Sequence, residues 1–189
     1  MIFFILSCSS APMTHYYYLD YGISHKDNNK YPYVLGIEEF NSDDIYNRDN
    51  IIFREIPYEI QYYIYKRWAS YPKTLISEKV LEHLKASALF KSVRHYPDFY
   101  NIDYLLRGNI KKFDELDKTD GWYANFSLEI EFLDIHKDST LFVLRTDKMI
   151  KAKEKNVLEI VIAMSKCVQE TFNELTEKID KILYEISSE

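Results

Sequence analysis

Apolar and polar residues alternate along the centre of the chain, and this alternation predicts β-strands. Within residues 122–136, four large apolar residues occupy alternate positions: Phe126, Leu128, Ile130 and Phe132. A period of two with one apolar face is typical of a strand that packs one side on a core and exposes the other to water. Similar segments at 104–113 and 140–151 flank it, separated by the polar stretches 114–121 and 137–139. The centre is therefore predicted to be an antiparallel meander of three strands.

Further β-forming segments lie outside this meander. They are rich in Tyr, Ile and Phe and are bounded by Gly, Pro or polar loops. They cover residues 16–21, 33–40, 51–56, 60–68 and 92–96. The polar stretches at 25–30 and 41–50 are predicted loops, and Pro57 and Pro97 each close a strand because proline cannot donate to a β-ladder.

Two segments show helical periodicity instead. The first follows Pro72, and its apolar residues recur at spacings of three and four: Leu75, Ile76, Val80, Leu81, Leu84, Ala88 and Leu89. The second is predicted at residues 157–186, where Asn156 and Glu159 have the spacing of a capping box. Its apolar stripe runs straight along a helix of roughly 45 Å, at 1.5 Å per residue.

These elements predict an α+β fold in one domain, residues 16–189. The domain consists of a single mixed, largely antiparallel sheet covered on one face by two helices, of which the C-terminal helix is long.

The far end of the last helix is a candidate partner contact, because the helix is longer than a small sheet is wide. Its apolar stripe continues there through four residues: Leu175, Ile179, Ile182 and Ile186. A row of exposed apolar residues commonly marks an interface. The alternatives are that the sheet is longer than predicted, or that the N-terminal segment folds over this end.

The two cysteines have different contexts. Cys8 follows the apolar run Met1-Ile2-Phe3-Phe4-Ile5-Leu6-Ser7 and precedes small polar residues, as the lipidated cysteine of a lipoprotein signal does. Residues 1–15 are therefore predicted to be the remnant of a lipoprotein signal and a tether. The alternative is a buried N-terminal strand with an incidental cysteine. Cys167 lies in the apolar part of the last helix, where we expect an inert core thiol.

Composition and motifs narrow the classes of function. The net charge is −6, with acidic and basic residues interspersed, so no basic stripe is available for nucleic acid. The four glycines are too dispersed for a phosphate-binding loop, and no His pair has the spacing of a zinc protease. Glu129 with Glu131, and His136 with Asp138, are interpreted as solvated surface groups. No catalytic residue, metal site or cofactor is predicted.

The middle of the chain resembles the ABC-type transport auxiliary lipoprotein family, which includes paraquat-inducible protein C and lipoproteins associated with MCE-domain transporters. The resemblance rests on the order and spacing of aromatic and aliphatic positions: Ile51-Ile52-Phe53-Arg54-Glu55, Tyr58, Tyr62, Tyr65, Trp68, Pro72, Ala88-Leu89-Phe90, Leu105-Leu106-Arg107-Gly108-Asn109-Ile110 and Phe113. It extends over residues 16–186.

The resemblance implies a non-catalytic domain on the periplasmic side of a Gram-negative outer membrane, anchored by lipid on Cys8. Its partners would be an MCE-domain protein and an ABC permease and ATPase that move lipids or apolar compounds. Self-association into a homo-oligomer is left open. The alternative function is an outer-membrane lipoprotein that activates a cell-wall synthase or assists a secretion or assembly machine.

One aromatic group in this region is a candidate lipid-binding surface. It comprises Tyr58, Tyr62, Tyr63, Tyr65, Trp68 and Tyr71. Alternatively, some of its members are sheet core and the others are tyrosines on an exposed face. Trp68 is predicted to be mainly a packing residue, because it lies at the corner where the sheet meets the first helix.

Overall fold

The computed structural model of the protein describes residues 12–98 and 101–188. Two α-helices, α1 (Pro72–Ser87) and α2 (Val157–Ser187), and a 3₁₀ helix (Asp44–Tyr46) accompany a nine-stranded sheet. The strands are β1 (His15–Tyr17), β2 (Tyr31–Glu38), β3 (Asn41–Ser42), β4 (Asn50–Arg54), β5 (Gln61–Trp68), β6 (Phe90–Tyr96), β7 (Tyr104–Lys118), β8 (Gly121–Asp134) and β9 (Ser139–Lys151).

The sheet is forked along β7. One edge of β7 pairs with β8 over its whole length, and β8 pairs with β9, which gives the predicted antiparallel meander. The other edge of β7 receives three strands in succession, all parallel to it: β2, β3 and β4. On its other edge β2 pairs with β6. Similarly, β4 pairs with β5, and β5 pairs with β1. The α+β prediction is confirmed, with one mixed sheet and a long C-terminal helix.

The core lies between the sheet and the two helices. Helix α2 packs against β8 and β9, and α1 packs against β6 and α2. The four residues that predicted β8 by their alternation are all buried, as are the α2 residues Val168 and Phe172. The predicted cap of α2 is also present, because the Asn156 side chain accepts a hydrogen bond of 3.0 Å from the backbone N–H of Glu159.

Close packing against a buried ring explains the glycine at position 108. Gly108 lies on β7 against the ring of Phe40, and a Cβ at this position would stand 2.8 Å from two ring carbons. Phe40 is itself buried and its backbone N–H donates to the Ser77 hydroxyl of α1. A larger residue at 108 would therefore have to displace the buried ring of Phe40, whose backbone is bonded to α1.

The C-terminal end of α2, proposed above as an exposed partner contact, is mostly buried in the structure. Leu175 and Ile179 are fully buried, and so is Leu183, whereas Ile182 and Ile186 are half-buried. Asp180 accepts hydrogen bonds from Tyr31 Oη at 2.8 Å and from Lys30 Nζ at 2.7 Å. Because Tyr31 begins β2, the sheet layer extends beneath this end of the helix. Leu175 and Ile179 are therefore core residues, and the alternative of a longer sheet accounts for them.

Two predicted loops contain regular structure. Strand β7 continues through residues 114–118, which were predicted to be a loop, and only Thr119 and Asp120 separate it from β8. The stretch 41–50 contains β3 and the 3₁₀ helix, whose Tyr46 is buried. In the first case the acidic residues that suggest a loop, Asp114 and Glu115, are buried, and in the second the buried residue is the tyrosine.

Candidate functional site

A buried carboxylate links three elements near the end of β7. Asp114 is 2% exposed and accepts three hydrogen bonds: from Arg54 Nε of β4 at 2.6 Å, from Tyr46 Oη at 3.0 Å and from Asn125 Nδ2 of β8 at 2.7 Å. Burial, followed by the Asp114 charge, raises the pKa of Tyr46, so its hydroxyl stays protonated and can donate. A buried charge with these partners is fixed in place, and it holds Arg54 at the surface of the sheet.

The next residue of β7 is a second buried acid. Glu115 is 1% exposed, and Tyr63 Oη lies 3.1 Å from Oε1 and 3.3 Å from Oε2. Burial raises the pKa of Glu115 to about 7, because desolvation outweighs the hydrogen bond from Tyr63. The Tyr63 ring in turn packs on Phe53, with 4.6 Å between ring centroids. This pair joins β5 to β7 across β4.

An open cleft of about 300 Å³ lies beside the Asp114 network. Its lining is mostly apolar and comes from β4, the turn after β4, β7 and β8: Arg54, Glu55, Ile56, Pro57, Lys112, Leu116, Asp117, Lys118 and Asn125. We call this feature the cleft. It combines apolar area from Ile56, Pro57 and Leu116 with three cationic and two acidic side chains. Two of the cations are already paired, Arg54 with Asp114 and Lys112 with Asp147, which leaves Lys118.

Two polar groups at the cleft have unused bonding capacity. Asn125 is almost fully buried, and among the described residues no donor reaches its Oδ1. Lys118 Nζ lies 3.1 Å from Met149 Sδ and 4.8 Å from the centre of the Tyr123 ring, and it makes no ion pair within the described part of the chain. A cation near an apolar lining suits a ligand that has an apolar part and an anionic group.

The predicted aromatic surface is divided by the structure. Trp68 is 1% exposed and packs on Phe113 with 4.8 Å between ring centroids, as expected for a packing residue. Tyr62 and Tyr63 are half-buried. Tyr58, in the turn after β4, is 96% exposed, and Tyr65 and Tyr71 are also exposed. These last three present most of the exposed aromatic area of the group.

The other polar residues considered from the sequence form surface pairs. Arg145 Nε lies 2.5 Å from Glu129, Arg107 lies 2.6 Å from Glu131, and His136 Nε2 lies 3.1 Å from Asp103. Glu129 and Glu131 are therefore each held by a separate arginine. No cluster of metal-ligating side chains occurs in residues 12–98 and 101–188.

The structure tests the prediction for Cys167 and does not describe Cys8. Cys167 is buried against β8, with its Sγ 3.9 Å from the Ala124 carbonyl oxygen, and burial raises the pKa of its thiol to about 12. This thiol is inert at neutral pH. Cys8, the predicted lipidation site, lies outside the described residues. Within the described residues, neither helix is long and apolar enough to cross a membrane.

The sequence did not predict the cleft or the two buried acids. The stretch Asp114-Glu115-Leu116-Asp117 looks like a loop because it is polar and breaks the alternation of β7. Its partners, Arg54, Tyr46 and Tyr63, are 52 to 68 residues away along the chain, and no local pattern connects them. The one available signal was that Arg54 and Glu55 interrupt a strongly apolar strand.

Comparison with known proteins supports the fold. No protein-family model and no curated protein sequence matches the chain. A solved structure from Xanthomonas campestris, a protein of the family DUF330, has a TM-score of 0.80 at 14% identity and covers 93% of this chain and 100% of its own. The structure of an uncharacterized protein has a TM-score of 0.71 at 14% identity, covering 89% of this chain and 99% of its own.

A hypothetical protein from Chlamydia trachomatis is a more distant neighbour. Its TM-score is 0.54 at 10% identity, and the match covers 79% of this chain and 96% of that one. At these identities the likeness establishes a shared fold. Because the match to the Xanthomonas structure covers 93% of this chain, nearly all of the chain belongs to the shared fold.

Proposed function

We propose that the chain is a non-catalytic, lipid-anchored domain of the bacterial envelope that serves an ABC/MCE-type system for moving lipids or other apolar compounds. The observation that carries the proposal is the cleft, whose apolar lining and Lys118, which makes no ion pair among the described residues, fit an amphiphile with an anionic group. The sequence resemblance supports the same assignment. Its location would be the periplasmic side of the outer membrane, with an MCE-domain protein and an ABC permease as partners.

The state of the polar groups supports a binding role. Glu129 and Glu131 are held in ion pairs with arginines, His136 Nε2 lies 3.1 Å from Asp103, and Asp114 is enclosed by three donors. General acid–base catalysis requires a titratable group within reach of a substrate atom. Glu115 has a suitable pKa, but it is fully buried against Tyr63.

We expect acylation of Cys8 in a Gram-negative host. The apolar run that ends in Leu6-Ser7-Cys8 motivates this prediction, and several acyl chains would be needed for stable membrane attachment. A fatty-acid probe fed to cells should label the wild-type chain and not the Cys8→Ala variant. Equal, background labelling of both would contradict a lipid anchor at Cys8.

We expect the cleft to bind an anionic phospholipid. Leu116→Glu places a carboxylate in the apolar lining, and repulsion between like charges should weaken binding of short-chain phosphatidylglycerol by at least about tenfold. Native mass spectrometry or calorimetry with this lipid measures the change, and circular dichroism verifies that the variant is folded.

The matched control is Val143→Glu. Val143 is half-buried on β9 and pairs across the sheet with Glu131, away from the cleft lining. This variant should bind like wild type. Equal binding by wild type and a folded Leu116→Glu variant would contradict the role of the cleft.

The partner class separates this proposal from the alternative of a cell-wall synthase activator. Crosslinking in intact cells followed by purification and mass spectrometry should recover an MCE-domain protein or an ABC permease. Recovery of a peptidoglycan synthase in their place would support the alternative.

A further inference from the structure

One end of the sheet carries a group of exposed apolar side chains. It comprises β1 and the residues just before it, residues 61–65 of β5 and the turn between β4 and β5, and we call it the tether end. Six of its apolar residues are exposed: Met13, Tyr16, Ile56, Tyr58, Ile64 and Tyr65. Scattered single apolar residues are normal on a surface, whereas a concentration at one end is not.

Strand register brings these residues together. β1 runs parallel to β5 with His15 opposite Lys66, so the residues just before β1 lie beside Ile64 and Tyr65. Ile64 follows Gln61, the first residue of β5 after the turn, by about 10 Å along the strand. The turn that carries Tyr58 and the start of β1 are therefore at the same end.

A bulge in β5 explains why two of these side chains are exposed. Five residue steps of β5, from Tyr62 to Arg67, span the same distance as two steps of β4. The extra residues include Ile64, which is 68% exposed, and Tyr65. Because a bulge takes residues out of the alternating register, these side chains do not turn back into the core.

The tether end is also where the chain leads toward Cys8. Cys8 precedes Pro12, the first described residue, by four residues, which span at most about 14 Å. An acyl group on Cys8 would therefore hold the tether end within about 14 Å of the membrane surface. The opposite end of the molecule is separated from it by the length of β7, 15 residues or roughly 50 Å.

We propose that the tether end docks on the surface of the lipid bilayer, with its tyrosines and isoleucines inserted at the level of the headgroups. Tyrosine suits this position because its ring is apolar and its hydroxyl stays hydrated. Lys118 ends β7 at the same end and makes no ion pair with a described carboxylate, so it can meet an anionic headgroup. The inference rests on the proposed lipid anchor, and it places the cleft, which Ile56 and Pro57 line, beside the membrane.

A pair of matched tryptophan probes tests the docking. Tyr58→Trp reports on the tether end and Tyr184→Trp on the opposite end, since Tyr184 is 64% exposed on the last turns of α2, beyond the contact of Asp180 with Tyr31. The full chain is coupled through Cys8 to a maleimide lipid in vesicles of phosphatidylethanolamine with a minority of phosphatidylglycerol. Buried Cys167 should not react.

Brominated lipids in the vesicles should quench the added fluorescence of Tyr58→Trp several-fold more than that of Tyr184→Trp. Equal quenching of the two probes, or none, overturns the docking inference. Because the coupling is chemical, this test does not depend on acylation in cells, so a failure of docking and a failure of the proposed anchor are observed separately.

A second comparison tests the apolar side chains themselves. In the uncoupled Cys8→Ser chain, Ile64→Ser with Tyr65→Ser should lower partition onto the same vesicles by about tenfold. The control is the double variant Ile135→Ser with Tyr184→Ser at the opposite end, which should leave the partition onto vesicles unchanged. If both double variants partition alike, apolar contacts at the tether end do not bind the membrane. If Ile64→Ser with Tyr65→Ser abolishes dimerisation of the chain and leaves its partition onto vesicles unchanged, the surface is an interface between copies of the chain, and the inference is wrong.

Discussion

Replacing Trp68 by alanine is expected to lower the free energy of unfolding by about 3–5 kcal/mol, the usual cost of truncating a buried large aromatic residue. Trp68 ends β5, is 1% exposed and packs on Phe113 of β7. Its backbone is held as well, since its N–H donates to the Asp49 carbonyl at 2.6 Å. The cavity would open between the β4–β5 branch and the rest of the sheet.

Chemical denaturation of wild type and Trp68→Ala measures this loss. Tyr65→Ala is the matched control, because Tyr65 lies on the same strand and is exposed, and its truncation should change stability by no more than about 0.5 kcal/mol. An unchanged melting temperature in Trp68→Ala, together with lost lipid binding, would mean that Trp68 serves the ligand and not the core.

Glu115→Gln is expected to stabilise the protein at pH 8 by about 3 kcal/mol and to have little effect below pH 4.5. The ordinary pKa of the side chain is 4.5, and burial raises it to about 7 in the folded protein. Between these values the folded state binds more protons than the unfolded state. The contribution of Glu115 to stability is therefore present below pH 4.5 and is lost as the pH rises through 7. Glutamine stays neutral and can still accept from Tyr63.

The measurement is the difference between the two unfolding free energies at several pH values. That difference should grow between pH 4.5 and 7 and then level off. Glu129→Gln is the control, because Glu129 forms an exposed pair with Arg145 and its loss should cost little at any pH. Parallel pH profiles for wild type and Glu115→Gln would show that Glu115 does not stay buried and neutral.

The sequence predicted the elements whose patterns are local. Strand β8 and helix α2 have periods of two and 3.6 over long stretches, and their bounds agree with the predicted ones within about two residues. The forked arrangement was not predictable in this way. Which strand pairs with β7 is decided by contacts between distant residues, such as Phe53 with Glu115, and these leave no local period.

Prediction from the sequence was wrong where polar residues are buried. Asp114 and Glu115 suggest a loop because acidic residues are rarely buried, yet Arg54, Tyr46 and Tyr63 satisfy them inside the sheet. For a related reason, the sequence left open which members of the aromatic group are buried. The bulge in β5 changes which faces its side chains occupy, so alternation could not separate core tyrosines from exposed ones.

The brevity of β1 would make the proposed lipid attachment of this domain extensible. Only three residue pairs join β1 to β5, with one more hydrogen bond from the Ala69 N–H to the Tyr17 carbonyl. Leu19, buried in the core, is the next fixed point along the chain. A load applied through the N-terminal segment would therefore peel off β1 before it reached the core, and would lengthen the linkage by four residues, about 14 Å. A domain attached in the proposed way could then move away from the membrane by this distance while its hydrophobic core stayed intact.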